Sequence, residues 1–402
     1  GIMPLDFEFS EEQKLLQASA REFAQKEFTK EKALEYEQKG EFPWELYKKC
    51  AQQGYIGMTW PEEYGGQGLG FVDNMIVAYE LVKAEPVIAS AILAGTFGAD
   101  IVASFGTHEQ KAKWLPKLAK GEITSAGCFT EPAGGSDIAR ILDTKAVKQG
   151  ENWIINGTKT FITNATTATI FITLVQTNLT AQPPYRGQTE FIIERGPGVD
   201  TTLLTGKLGW HVSPSGEVSF SDVRVTDNDI VGGPANLNRG FYLGLMFLDE
   251  TRLAVGTQAV ATAEAALERA ISYSKEREAF GRKIAAFQGL AFRIIEMATK
   301  IETMKALCFK GAWLAEKARK DPSFMEESIK IASMCKWYGA RLAVEACDLA
   351  VDVLGGLGYF AEEDVSRWYK FAKMLELVEG TKEIQKNAIA RIIFGREIAR
   401  YF

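Results

Sequence analysis

Acid–base and ligand chemistry in this chain has to come from carboxylates, arginines, hydroxyls and backbone amides, because histidine clusters, paired thiols and nucleotide-binding glycine loops are missing. Only two histidines occur, His108 and His211, so no histidine metal cluster can form, and no His–Cys spacing suits a metal. The five cysteines, Cys50, Cys128, Cys308, Cys335 and Cys347, are scattered and never spaced as CxxC, which reads as reduced thiols. There is no GxxxxGKS/T phosphate loop. The glycines from Gly65 to Gly70 miss the GxGxxG spacing and follow no convincing strand, which argues against a Rossmann-type nicotinamide enzyme. What remains is a set of polar segments. They are Cys128-Phe129-Thr130-Glu131-Pro132-Ala133-Gly134-Gly135-Ser136-Asp137; Asn156-Gly157-Thr158-Lys159-Thr160-Phe161-Ile162-Thr163-Asn164; Asp249-Glu250-Thr251-Arg252; Glu276-Arg277-Glu278-Ala279-Phe280-Gly281 with Phe287-Gln288; Leu354-Gly355-Gly356-Leu357-Gly358-Tyr359; and Val378-Glu379-Gly380-Thr381.

The elements that position these segments fall into three blocks. At 402 residues the chain is long enough for two or three domains, and 46% hydrophobic with 24% charged residues is an ordinary globular balance. Residues from about 9 to 125 read as helical, with Ser10 as an N-cap ahead of Glu11 and Glu12 and a turn-rich break from Trp60 to Gly70. Residues 126–237 are rich in Thr, Val, Ile and Gly. Runs at 153–157, 170–175, 190–193 and 218–225 read as short strands of an antiparallel barrel or sandwich. Helical patterning then resumes to the end, with small residues Ala254, Gly256, Ala259 and Ala263 suited to close helix packing. The expected division is an α+β protein with domains at 3–125, 126–237 and 238–402. The stretch from Pro86 to Gly106 carries one charge, Asp100, but its glycines and polar residues make it a buried helix rather than a membrane span. Net charge −6 without a dense basic run disfavours a nucleic-acid partner. Gly1-Ile2 ahead of Met3 is set aside as a prefix, no targeting segment is read, and a cytoplasmic protein is expected.

In this order and at these separations, the six segments resemble the acyl-CoA dehydrogenase family across essentially the whole chain. The resemblance implies an N-terminal helical domain, a middle antiparallel β-barrel and a C-terminal four-helix bundle. It also implies FAD, a CoA thioester substrate, an electron-transferring flavoprotein as acceptor and a homotetramer. Oxidising an acyl thioester removes the α-proton and moves the β-hydrogen as hydride to flavin N5. That calls for a carboxylate in a dry pocket, hydrogen bonds on the thioester carbonyl and a flavin alongside. By resemblance Glu379 is the base, its own backbone N–H helps hold the thioester oxygen, and burial should raise its pKa. Some relatives carry the base just before the arginine of the second helical domain; here that position is Thr251, which cannot serve. Arg252 is expected to order the pocket beside the base.

The same resemblance places the cofactor contacts. Phe129, Thr130, Gly135 and Ser136 should line the isoalloxazine, Phe161 and Ile162 should pack near it, and the Thr163 hydroxyl or backbone should reach the N5 region. Arg277 should reach the pyrophosphate from a neighbouring subunit, as its charge and fork of donors suit, with Phe280 and Gln288 near the adenosine half. Gly355, Gly356 and Thr381 belong to the same cofactor set. Asp352 and Glu383 stand where the family often has Gln. Two carboxylates near phosphate are unfavourable, so they contact ribose or backbone, or FAD is held less tightly. His211 replaces a frequent Arg and reads as loop packing or a functional group. On the substrate side the set is Ser136, Asp249, Arg252, Val378, Gly380 and Leu93. Val378 replaces a common Tyr and widens the pocket, Leu93 is apolar, and no Lys or Arg occurs from Glu85 to Gln110. A compact neutral acyl group follows, cyclohexanecarboxyl-CoA-like or a branched short chain. Two competing readings keep the fold: an acyl-CoA oxidase using O2, against which the length leans, and a non-catalytic CoA-binding protein, against which the intact Glu379 and flavin segments argue.

Overall fold

The computed structural model describes residues 5–401. The Gly1-Ile2 prefix and the expected first-domain start at Met3 lie outside the described residues. The N-terminal part is helical: α1 (Glu11–Glu27), α2 (Lys30–Lys39), α3 (Trp44–Gln52), α4 (Phe71–Ala84), α5 (Pro86–Leu93), α6 (Ala99–Phe105) and α7 (His108–Ala119). Ser10 caps α1 as its sequence suggests, with Gln13 closing a capping box. The break from Trp60 to Gly70 holds one short 3-10 turn, Glu62–Tyr64. The apolar stretch from Pro86 to Gly106 is two short helices, α5 and α6, separated by the turn at 94–98. No helix among the described residues is long and apolar enough to cross a membrane.

The middle part is a seven-stranded sheet of β1 (Ser125–Cys128), β2 (Lys145–Gln149), β3 (Asn152–Ile162), β4 (Ile170–Gln176), β5 (Gln188–Glu194), β6 (Val199–Leu203) and β7 (Gly216–Thr226). The order is β1-β4-β2-β3-β7-β6, with β5 on β4. Two features correct the antiparallel-barrel expectation. β1 runs parallel to β4, pairing Ser125 with Ile170 through Cys128 with Thr173, because β2 and β3 form a crossover between them. No pairing joins β5 to β6 among the described strands, so the sheet is a half-barrel.

The C-terminal part comprises α8 (Gly240–Glu276), α9 (Gln288–Lys320), α10 (Met325–Leu354), α11 (Asp364–Leu375) and α12 (Lys382–Phe394). In place of four comparable bundle helices there are three long ones and two short ones packed on α10. A hairpin of β8 (Glu278–Ala279) and β9 (Arg282–Lys283) interrupts the expected run of helices, where Gly281 takes a left-handed φ of 79°. Gly256 lets α8 and α10 touch: a Cβ there would meet the Cys335 backbone at 2.7 Å. Ion pairs fix the helix register. Lys83 of α4 meets Glu268 of α8, and Tyr79 hydrogen-bonds Glu264, so α4 and α8 run parallel. Glu250 pairs with Arg319, and Glu264 with Lys305, so α8 and α9 run antiparallel.

Candidate active site

A cavity of about 430 Å³ lies where α4, α5 and α6 meet α8 and the turn after α11. One face of α8 lines it through Phe247, Glu250, Thr251, Ala254, Val255 and Gln258, the i, i+3, i+4, i+7 spacing of a helix stripe. Of the residues expected from sequence, Leu93, Thr163, Val378 and Glu379 share this cavity. The Thr251 hydroxyl is committed to Phe247 O at 2.9 Å, as a helix threonine often is.

Glu379 sits in a strained turn. Its φ is 57° and that of Gly380 is 90°, both left-handed. Gln385 of α12 holds the turn by donating from Nε2 to the Glu379 and Gly380 carbonyls at 3.1 and 3.2 Å. Thr381 caps α12 by accepting from Ile384 N at 3.3 Å. The Glu379 carboxylate has no hydrogen-bond partner in the protein, and its backbone N–H also meets no protein acceptor. Burial pushes its pKa up to about 7 against the opposing pull of Lys336 and Arg252. A carboxyl titrating there is suited to proton abstraction near neutrality. Arg252 lies nearly buried and pairs with Asp249 at 3.4 Å, with its Nε unpartnered. Burial lowers the Arg252 pKa and raises that of Asp249, each moderated by the other.

The first two sequence segments are clamped together behind the cavity. Lys159 of β3 and Glu131 are both fully buried and 3.2 Å apart. Lys159 also donates to Phe129 O at 3.0 Å, and Thr160 N donates to Thr130 O at 2.9 Å. Glu131 further accepts from Arg140, Asp143 N and Thr144 N at 2.8 to 2.9 Å. Phe129 stacks on Phe247, a cavity-wall residue, at 6.4 Å. Gly135 is needed beside Thr130, where a Cβ would come within 3.2 Å of its hydroxyl, while Ser136 is exposed. A bulge at the end of β3 separates the next pair. Phe161 takes a φ of 56° and stays 73% exposed, whereas Ile162 turns into the sheet core. The Ile162 side chain thus packs in the sheet core beside the expected flavin position rather than into the cavity. The uncovered Phe161 ring and the Thr163 hydroxyl, which has no protein partner, fit an aromatic redox group beside the cavity.

Arg277, Phe280, Gln288, Asp352, Gly355 and Gly356 lie elsewhere. Arg277 follows Arg252 along α8 by about 38 Å of helix rise. Phe280 is 95% exposed at the hairpin tip. Asp352 accepts from Arg293 at 2.7 Å, so its charge is already balanced, an outcome that neither sequence expectation for it covers. Gly355 has a φ of 63° and, like Gly356, faces open space. Glu383 lies exposed in the first turn of α12, where an acidic side chain favours the helix.

Sequence reasoning missed several groups. Lys336 of α10 is fully buried, donates to Leu375 O at 2.7 Å, and feels both Glu379 and Glu376. Burial brings its pKa down to about 8. Arg319 reaches the cavity from α9, so a cation is present after all, though it is paired with Glu250. Asn74, Ser90 and Gln258 also line the cavity. None of these carries a motif; their meeting depends on the register of α4, α8 and α9.

A helical–sheet–helical chain with a half-buried carboxylate in a strained turn facing a cavity defines a class, and comparison with known proteins identifies it. The chain belongs to the acyl-CoA dehydrogenase family. The family's N-terminal, middle and C-terminal domains match residues 10–122, 126–223 and 238–394. Members of the family are FAD-dependent oxidoreductases acting on a CH–CH bond of acyl-CoA. The chain is 35% identical to an acyl-CoA dehydrogenase of Bacillus subtilis (strain 168), over 96% of this chain and 99% of that protein. It is 34% identical to the CarC subunit of the caffeyl-CoA reductase-Etf complex of Acetobacterium woodii, over 96% of this chain and all of that one. Among solved structures it resembles butyryl-CoA dehydrogenase from Megasphaera elsdenii with TM-score 0.88 at 30% identity, covering 97% of this chain and 100% of that one.

Proposed function

We propose that this enzyme oxidises a compact, uncharged acyl-CoA to the 2,3-enoyl-CoA, with Glu379 as the base. The observation that carries the reading is the half-buried Glu379 carboxylate, which lines the cavity with no hydrogen-bond partner and a pKa raised to about 7. The α-proton passes to a Glu379 carboxylate oxygen. The unengaged Glu379 N–H holds the thioester oxygen, where negative charge develops. Arg252 faces the same turn and stabilises the ionised base before transfer. FAD, when bound beside the cavity, would supply the hydride acceptor for the β-hydrogen. Phe129, Thr130, Gly135, Ser136, Phe161 and Thr163 would hold its ring, and Thr381 and Glu383 begin the helix beside it. Arg277, Phe280, Gln288, Asp352, Gly355 and Gly356 serve a flavin of a neighbouring subunit. A homotetramer supplies that neighbour, and an apolar groove lined by Met304, Trp337, Ile389 and Phe394, with Ile393 and Phe394 exposed, supports it. The three-domain division at 3–125, 126–237 and 238–402 is part of this reading. An electron-transferring flavoprotein is the proposed acceptor, on the strength of the Acetobacterium relative being named as part of an Etf complex.

The test is anaerobic flavin reduction by straight, branched, cyclic and dicarboxylic acyl-CoA esters. Compact neutral esters should bleach the flavin fastest, and Glu379→Gln should slow bleaching about 10³-fold while still binding acyl-CoA. Undiminished bleaching by that variant would remove Glu379 from its role. Rapid peroxide formation on reoxidation in air would replace the flavoprotein acceptor by oxygen.

A further inference from the structure

The cavity is not uniformly apolar beyond the base. Ser90 lies on α5, one turn before Ala94, and Ala94 O accepts from Asn164, the neighbour of Thr163. Ser90 is therefore about 6 Å further along the helix from the Thr163 end of the cavity. Ser90 is 4% exposed and is among the residues lining the cavity, and its buried Oγ has no hydrogen-bond partner. Thr251, Thr257, Thr262, Thr299 and Thr303 all turn their hydroxyls back to the carbonyl four residues earlier, and Ser90 does not. Two side-chain amides face the same space, Asn74 of α4 and Gln258 of α8, and neither is engaged by protein. The parallel α4–α8 register brings them together: Tyr79 meets Glu264 and Lys83 meets Glu268, which sets Asn74 level with Ala259, next to Gln258.

The charged groups of the cavity sit elsewhere. Asp100, Glu250 and Arg319 line it with Glu379. Glu250 and its partner Arg319 lie about 12 Å back along α8 from Gln258. The Gln258 end thus offers a hydroxyl and two amides, each able to donate and accept, and no cation. A carboxylate would find no counter-charge there. A pure hydrocarbon would strip water from three polar groups and return nothing to them, which the energetics of buried polar groups penalise. The rest of that end, with Tyr55, Met58, Phe71 and Met75, is apolar.

We infer that the acyl end of the cavity is built for an uncharged hydrogen-bonding substituent on the acyl group, a hydroxyl or an oxo group, held by Ser90, Asn74 and Gln258. The inference rests on the acyl-CoA reading above and narrows its substrate class to polar-substituted compact acyl groups. In a pocket lined this way, recognition of a substrate hydroxyl discriminates far more than one methylene does.

The experiment compares kcat/KM for cyclohexanecarboxyl-CoA with its 3-hydroxy, 4-hydroxy and 4-oxo derivatives, using holoenzyme and a dye acceptor. Glutaryl-CoA serves as an anionic control. Binding of the same esters to Glu379→Gln is measured by calorimetry. At least one hydroxy or oxo ester should exceed the parent by about tenfold or more in both measurements. Ser90→Ala and Gln258→Leu should shrink that ratio toward one, each enzyme being its own reference, so a general loss of folding or flavin cancels. Equal use of the parent and all derivatives, a preference untouched by either variant, or a preference for glutaryl-CoA overturns the inference while leaving the dehydrogenase reading in place. If no ester bleaches the flavin, both fail.

Discussion

Two buried charge clusters stand on either side of the same cavity wall, and they are solved in opposite ways. In the sheet, burial alone would push Glu131 up, yet Lys159 and the Asp143 and Thr144 amides carry its pKa down to about 2. Every Glu131 oxygen is used. At the turn after α11, Glu379 has Lys336 and Arg252 nearby as charges but no hydrogen bond to its carboxylate, and burial wins, to about 7. The number of cations is not what separates the two clusters. Directed donors on the carboxylate are, because they stabilise the charged form at contact distance and leave no room for a substrate proton. The first arrangement locks two loop segments together; the second leaves a carboxylate facing the cavity and free to gain or lose a proton.

Breaking each side should show that contrast. The largest effect is expected from Glu379→Gln on flavin reduction, with stability moving the other way. The folded pKa of Glu379 lies above its ordinary value near 4.5. Its contribution is therefore fully present below that value and lost as pH rises through about 7, so the Gln variant should gain stability relative to wild type above pH 7. Lys159→Met should instead cost about 3 kcal/mol in denaturant unfolding, since it strands a buried carboxylate and frees the Phe129 carbonyl. It should also lower flavin retention on gel filtration. Unchanged stability would mean that Arg140 and the amides suffice for Glu131.

A smaller effect is expected at Glu190 of β5, where neither carboxyl oxygen has a partner and burial pushes the pKa to about 8 despite Lys159. The folded form holds its proton at neutral pH. Wild-type stability supplied by this group is present below about 4.5 and lost as pH rises through about 8, so Glu190→Gln should be clearly the more stable protein at pH 9 and near neutral at about pH 4. Matched unfolding curves at the two pH values check it. A constant difference would mean that the side chain is ionised throughout.

The comparison also explains what the sequence reveals and what it hides. Glu379 is legible because its turn is local: a Gly follows it and a Thr cap starts the next helix. Thr163 and Phe129 are legible for the same reason, being carried in contiguous segments. Lys336 is not, because a lysine in an apolar-striped helix looks like a solvated residue until α11 ends against it. Arg319, Asn74 and Gln258 meet only through helix register, which no local spacing encodes. The side chain of Ile162 turns into the sheet core because of a one-residue bulge, which no local alternation announces. The four- and five-residue strands β1, β2 and β6 are too short for alternation to declare itself, and the parallel pairing of β1 depends on a strand more than forty residues later.

The finest test of the contrast is Lys336, which acts on Glu379 through space and on α11 by contact. Its charge lowers the Glu379 pKa, and its Nζ donates to Leu375 O four residues before the base. Wild-type kcat/KM should rise with pH through an acid limb near 7, as the free base ionises. Removing the charge should raise the limb by about one unit, since one source of stabilisation for the carboxylate is gone. Lys336→Met removes both charge and donor, whereas Lys336→Gln keeps a donor within reach of Leu375 O and removes only the charge. If the charge sets the base, both variants shift the limb alike. If Lys336 only anchors the end of α11, Lys336→Gln keeps the wild-type limb and Lys336→Met loses rate without moving it. Lys336 itself, held near 8 by burial, stays mostly protonated across the limb, so its own titration falls on the alkaline side and leaves the acid midpoint readable.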